Sequence, residues 1–77
     1  MIPIKDIINK IKWDKRENPK YYSLVYMDLG KKKEISYTDI KRLEGNFMII
    51  EKNREETEIP LHRIKEVKKK GNVVWKR

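Results

Sequence analysis

The sequence predicts an α+β domain in which one N-terminal helix packs on a small, strongly bent antiparallel sheet or open barrel of about five strands. Three observations carry that expectation. Apolar residues recur at helical spacing near the start of the chain, and short β-branched and aromatic runs follow, separated by Gly, Pro and Asn turn signals. The 77 residues admit a single domain, 1–77, with one small core.

Ile4, Ile7, Ile8 and Ile11 stand at i, i+3, i+4 and i+7, and Pro3 suits a first helical position. Lys5, Asp6, Asn9, Lys10 and Lys12 lie mostly on the other side of that helix. Asp14–Lys20, with Asn18-Pro19, reads as a loop. Tyr21–Met27 reads as a strand, Asp28–Lys32 as a turn and Glu34–Tyr37 as the returning arm of a hairpin. Thr38 can cap a short helical turn through Lys41 and Arg42, ended by Gly45. Asn46–Glu51 is apolar on both faces, as a central strand would be. Lys52–Glu58 reads as a polar surface loop. A tight turn at 60–63 then leads into a strand with a bulge near Lys65-Glu66. Gly71-Asn72 gives a two-residue turn into Val73–Arg77. The spacing of Leu61, Ile64 and Val67 keeps a helix over 61–70 as the alternative. No internal repeat is evident. Phe47, Trp75 and Trp13 are expected in the core, whereas alternation across Tyr21, Tyr22 and Tyr26 leaves at least one tyrosine exposed.

The formal net charge of +8 is unevenly spread: residues 62–77 hold seven basic side chains and one acidic, and residues 21–61 hold seven and eight. A basic end beside a near-neutral middle is the electrostatic footprint of a polyanion partner, and the competing reading is a face that only solubilises a small protein. With no cysteine, disulfides, thiolate metal sites and thiol nucleophiles are excluded. No apolar run approaches the roughly 18 residues of a spanning helix, and no signal-peptide pattern opens the chain, so a cytoplasmic protein without a membrane partner is expected. Absent glutamine with abundant Lys and Glu fits a thermophile composition, which codon bias would equally produce.

Catalytic patterns are weak. His62 is the one candidate base, and Ser23 and Ser36 fall within expected strands, without the sharp turn that exposes a nucleophile. No Gly-rich phosphate loop and no spaced ligand set exist, so neither cofactor nor metal is expected. Binding has better material, because aromatics on a basic sheet can stack single-stranded bases. In Ile59-Pro60-Leu61-His62-Arg63-Ile64 the apolar residues anchor a turn while His62 and Arg63 alternate with them. A guanidinium fork beside an imidazole suits one localised phosphate. The plainer reading has His62 bonding its own turn and Arg63 pairing with a surface Glu.

Several elements together resemble an uncharacterised, mainly archaeal family of small basic proteins. They are Ile2-Pro3-Ile4, Ile11-Lys12-Trp13-Asp14, the Ile59–Ile64 motif and Gly71-Asn72-Val73-Val74-Trp75-Lys76-Arg77. A similar domain occurs fused to RNA-repair and RNA-end-processing modules and has been proposed to recognise RNA ends bearing a cyclic phosphate. The resemblance implies a non-catalytic RNA-binding module for terminal or 2′,3′-cyclic phosphates, with RNA-processing enzymes as further partners. Arg63 would clamp the anion and His62 would be a second donor. Lys65 and the C-terminal basic residues, Lys76 among them, would supply field, Lys12 would belong to the same site, Asp14 would orient a basic group, and Trp13 or a tyrosine would stack on the last base. The alternatives are a sequence-independent nucleic-acid coat and a phosphodiesterase that uses His62.

Overall fold

The computed structural model describes residues 3–77; Ile2 of the opening motif lies outside them. One helix, α1 (Ile4–Trp13), is followed by seven strands: β1 (Tyr22–Asp28), β2 (Lys31–Ser36), β3 (Ile40–Glu44), β4 (Phe47–Lys52), β5 (Glu55–Pro60), β6 (Ile64–Lys69) and β7 (Asn72–Lys76). They form two antiparallel sheets, ordered β2-β1-β6-β7 and β3-β4-β5. The α+β class stands, but with more strands than five and two open sheets in place of one.

Helix α1 follows the isoleucine spacing: Ile4, Ile8 and Ile11 are buried and Ile7 is half-buried against the same core. Pro3 sits one position earlier than expected, at the N-cap, with φ −61° and ψ 145°. The Tyr37 hydroxyl donates to the Ile8 carbonyl at 2.7 Å, tying the helix to the turn between β2 and β3. Around α1 the core gathers Leu24, Ile35, Met48, Ile50, Ile59, Ile64, Val67 and Trp75 from both sheets.

The chain passes between the sheets at two corners, each a 3₁₀ turn: Tyr37–Asp39 leads from β2 to β3, and Leu61–Arg63 leads from β5 to β6. The sequences of the two corners repeat. Glu34-Ile35-Ser36-Tyr37-Thr38-Asp39-Ile40-Lys41 matches Glu58-Ile59-Pro60-Leu61-His62-Arg63-Ile64-Lys65 in its Glu, both Ile and Lys positions. The repeat is thus real but short, and its shared isoleucines flank the bend and pack on the core. The second Ile opens the next strand, and the strand register slips over Lys41 in one copy and Lys65 in the other. Tyr37 and Leu61 fill the equivalent inward positions. The bulge expected near Lys65 is present, and residues 64–69 are strand, which removes the helical alternative.

Other expectations are corrected. Lys41 and Arg42 belong to β3, and the helical turn stops at Asp39. Glu55–Glu58 is strand: β5 pairs with β4 along its whole length, through a turn whose Asn53 and Arg54 both take positive φ, 54° and 67°. The last hairpin turns at Lys70-Gly71, one residue before Gly71-Asn72, since Lys69 pairs with Asn72. Trp13 and Phe47 are exposed, by 74% and 41%, whereas Trp75 is buried. Trp13 lies half a turn from the line of Ile4, Ile8 and Ile11. Phe47 is the first residue of β4, opposite Pro60, at the rim of the core. Among the tyrosines Tyr21 is exposed and Tyr22 buried.

Tyr22 donates to Glu17, and Lys69 reaches the same carboxylate at 3.4 Å, so the loop after α1 is fastened to β1 and β6. Burial first, and Glu17 second, push the Tyr22 phenol up to about 12. A phenol whose pKa is raised by folding stabilises the fold below its unfolded value of about 10, and that contribution disappears as pH rises towards about 12. Denaturant titrations across that interval should show wild-type stability falling more steeply than that of Tyr22→Phe. Equal slopes would mean that the phenol titrates freely.

Candidate nucleic-acid interface

The first turn of α1, the β3–β4 turn, the second corner and the end of β7 surround a groove of about 490 Å³. It is lined by Pro3, Ile4, Lys5, Asn46, Leu61, His62, Trp75 and Arg77. The arrangement follows from main-chain bonds. The Leu61 N–H donates to the Asn46 carbonyl at 2.9 Å, and the Arg77 N–H donates to the Lys65 carbonyl at 2.8 Å. The floor is apolar, since Ile4, Leu61 and Trp75 are buried side chains. The polar side chains at the rim are Lys5, Asn46, His62 and Arg77, and among the described lining residues there is no acidic side chain.

Arg77 is the most firmly held of the rim groups. Its Nε donates to the Ile64 carbonyl at 3.1 Å and an Nη to the Leu61 carbonyl at 3.2 Å, and its guanidinium carbon lies 5.5 Å from the Trp75 ring centroid. Three of the five guanidinium N–H donors remain for a ligand. Lys5 leans across the groove wall to the Gly45 carbonyl at 3.2 Å. Asp6 and Ile7 make the first bonds of α1, to the Pro3 carbonyl at 3.0 and 3.3 Å. The preceding N–H groups of Ile4 and Lys5 therefore have no intrahelical acceptor and carry the positive end of the helix dipole.

His62 is exposed on the groove and makes no hydrogen bond or ion pair among the described residues. The repeated corner shows that the bend does not need it, because Thr38-Asp39 occupies the equivalent place in a turn of the same form. Arg63, its neighbour, is exposed but lies outside the groove lining. Its field reaches Asp28, whose carboxyl is held below the usual range mainly by a hydrogen bond from Lys33. The two residues expected to grip one phosphate thus face different surroundings.

Lys65 is the half-buried bulge residue, and its carbonyl receives Arg77. Lys76 is exposed on β7, opposite Glu66. Lys12 and Trp13 stand together at the far end of α1, with the ammonium 5.2 Å from the ring centroid, beside a second groove of about 300 Å³. Asp14 caps that end and accepts Arg16 through its backbone N–H at 2.9 Å and its guanidinium at 3.2 and 3.3 Å, which lowers its pKa. The basic group that Asp14 orients is therefore Arg16. The lysines of the last hairpin lie at the opposite end of β6. Lys68 pairs with Glu34 at 3.3 Å, Lys69 with Glu17 at 3.4 Å, and Lys70 sits 4.5 Å from the Tyr21 ring centroid. Sequence reasoning missed Lys5 and Asn46, and it counted Arg77 only among the C-terminal basic residues. Arg77 carried only the weak signal of following a tryptophan in a basic stretch.

These features define a small α+β domain with a groove rimmed by basic side chains at the junction of its helix and its last strand. The family model for the MJ1316 RNA cyclic group end recognition domain matches residues 1–77, and the chain belongs to that family. It is 35% identical over 79 residues to a UPF0248 protein of Saccharolobus islandicus (strain L.S.2.15 / Lassen #1), covering 96% of this chain and 98% of the relative. A UPF0248 protein of Metallosphaera sedula is 32% identical over 74 residues, covering 96% and 91%. One of Saccharolobus solfataricus is 35% identical over 79 residues, covering 96% and 95%. No solved structure matches the chain. No helix among the described residues is long and apolar enough to cross a membrane.

Proposed function

We propose that the chain is a non-catalytic, cytoplasmic RNA-binding module that seats a terminal phosphate of RNA, above all a 2′,3′-cyclic phosphate, in the groove between α1 and β7. The carrying observation is a guanidinium fixed on two carbonyls and an aromatic ring, facing Lys5 and His62 over an apolar floor. A cyclic phosphate is a monoanion fused to a sugar, so it asks for a few fixed donors and an apolar rest for the ribose. The family to which the chain belongs, named for RNA cyclic group ends, supports the same reading. In this arrangement Arg77 is the clamp, Lys5 and His62 add donors, and Arg63, Lys65 and Lys76 contribute field to the approaching strand. Lys12, Trp13 and Asp14 lie further along the helix. RNA-processing enzymes that make or consume such ends are the natural partners. The serines support a binding role over catalysis: Ser23 bonds Glu34 and Ser36 bonds Thr38, both away from His62.

The test uses one short RNA with either a 2′,3′-cyclic phosphate or a 3′-hydroxyl. Wild-type protein should prefer the cyclic end by about tenfold, His62→Ala should lose most of that preference, and Lys69→Ala should weaken both RNAs alike. Equal wild-type affinity for the two ends would refute end recognition.

A further inference from the structure

The two grooves lie on the same flank of α1. Lys5 lines the first, and Asn9, Lys12 and Trp13 line the second. Lys5, Asn9 and Lys12 stand at i, i+4 and i+7, so they form one stripe beside the buried isoleucines, ending at Trp13. The opposite wall is continuous as well. Gly45 accepts Lys5, and Leu43 and Arg42 line the second groove. The cations of that wall are paired, Arg42 with Glu44 at 2.6 Å and Glu56 at 3.4 Å and Lys41 with Glu56 at 2.6 Å and Glu51 at 3.0 Å, whereas Lys12 has no carboxylate partner among the described residues. Trp13 is 74% exposed, half a turn from the buried isoleucines, so its large ring faces outward, and Lys12 lies against it.

We propose that this flank is a track for a single-stranded 3′ end, with the terminal phosphate in the first groove and an upstream base stacked on Trp13. The proposal rests on the end-seat reading above and adds to it the form of RNA that is bound. From Lys5 to Trp13 the helix rises about 12 Å at roughly 1.5 Å per residue. At about 3.4 Å per phosphate for a stacked strand, that distance holds roughly three or four nucleotides. A base can offer its face to an indole only when it is unpaired, so a recessed or fully paired 3′ end cannot use the platform. The substrate class is therefore RNA with a 3′ overhang of a few nucleotides.

The test measures affinity for RNAs that end in a 2′,3′-cyclic phosphate, in increasing length from the cyclic mononucleotide, together with a duplex paired to its last nucleotide. Wild-type affinity should rise by about tenfold up to roughly four nucleotides and then level off. Trp13→Ala should remove the rise, Trp13→Phe should keep most of it, and the duplex should bind no better than the mononucleotide. A length gain that survives in Trp13→Ala, or no gain at all, overturns the track. Length dependence through Trp13 with no difference between cyclic and hydroxyl ends overturns the end seat instead. End preference with no effect of Trp13 overturns the platform alone.

Discussion

Replacing Ile64 with alanine should cost about 2–5 kcal/mol of folding stability. Ile64 has 0% exposure, opens β6 directly after the second corner and pairs with Tyr26 across the sheet. Truncation removes buried methyl groups from a point where two sheets and the helix meet, and the backbone bend leaves little room for neighbours to close the cavity. A domain of this size has a total stability of about 4–12 kcal/mol, so the loss is a large share of it, and Tm should fall by more than about 10 °C. The repeat supplies the control. Ile40 holds the equivalent place after the first corner but is only half-buried, so Ile40→Ala should cost less than half as much. Thermal melts followed by circular dichroism decide the matter, and similar losses at the two positions would contradict the core described above.

Replacing Arg77 with alanine should lower affinity for a cyclic-phosphate RNA end by about 10- to 100-fold, the range of a charge-assisted hydrogen bond in a fixed geometry. Arg77→Lys should retain the dependence on salt, because the charge stays. It should not retain the preference for the cyclic end, because an ammonium cannot hold two carbonyls and present a fork at once. Lys76→Ala, one residue away and exposed, should weaken all RNAs slightly and uniformly. Anisotropy titrations at two salt concentrations separate these behaviours. Preference preserved in Arg77→Ala would move the clamp elsewhere, with Arg63 the first alternative.

Elements whose pattern reports burial were legible in the sequence. The four isoleucines of α1 show the phase of a half-buried helix, the run in β1 shows a strand, and the interrupted pattern near Lys65 shows its bulge. Glu55–Glu58 was misread because the arm of β5 extends beyond the core. Four successive residues are exposed there, so neither alternation nor apolar content marks the strand. Its turn, Asn53-Arg54, also adopts the left-handed region without the glycine that normally signals it. Trp13 was misassigned because its size outweighed its phase. His62 could be singled out as the lone imidazole set between apolar anchors. Lys5 and Arg77 could not, because nothing local connects the first turn of the helix with the residue after the last strand. That connection exists only once the sheets have closed, and the division of labour between His62 and Arg63 depends on the same three-dimensional bend.

Because Lys5 and Arg77 come from opposite ends of the chain, an anion held between them acts as a noncovalent clasp on the whole domain. Opening the fold anywhere between those ends separates the clasp, so an occupied groove should raise the global unfolding free energy by about 2.7 kcal/mol at a hundredfold excess over Kd. The most slowly exchanging amides, including those in strands far from the groove, should register its occupancy.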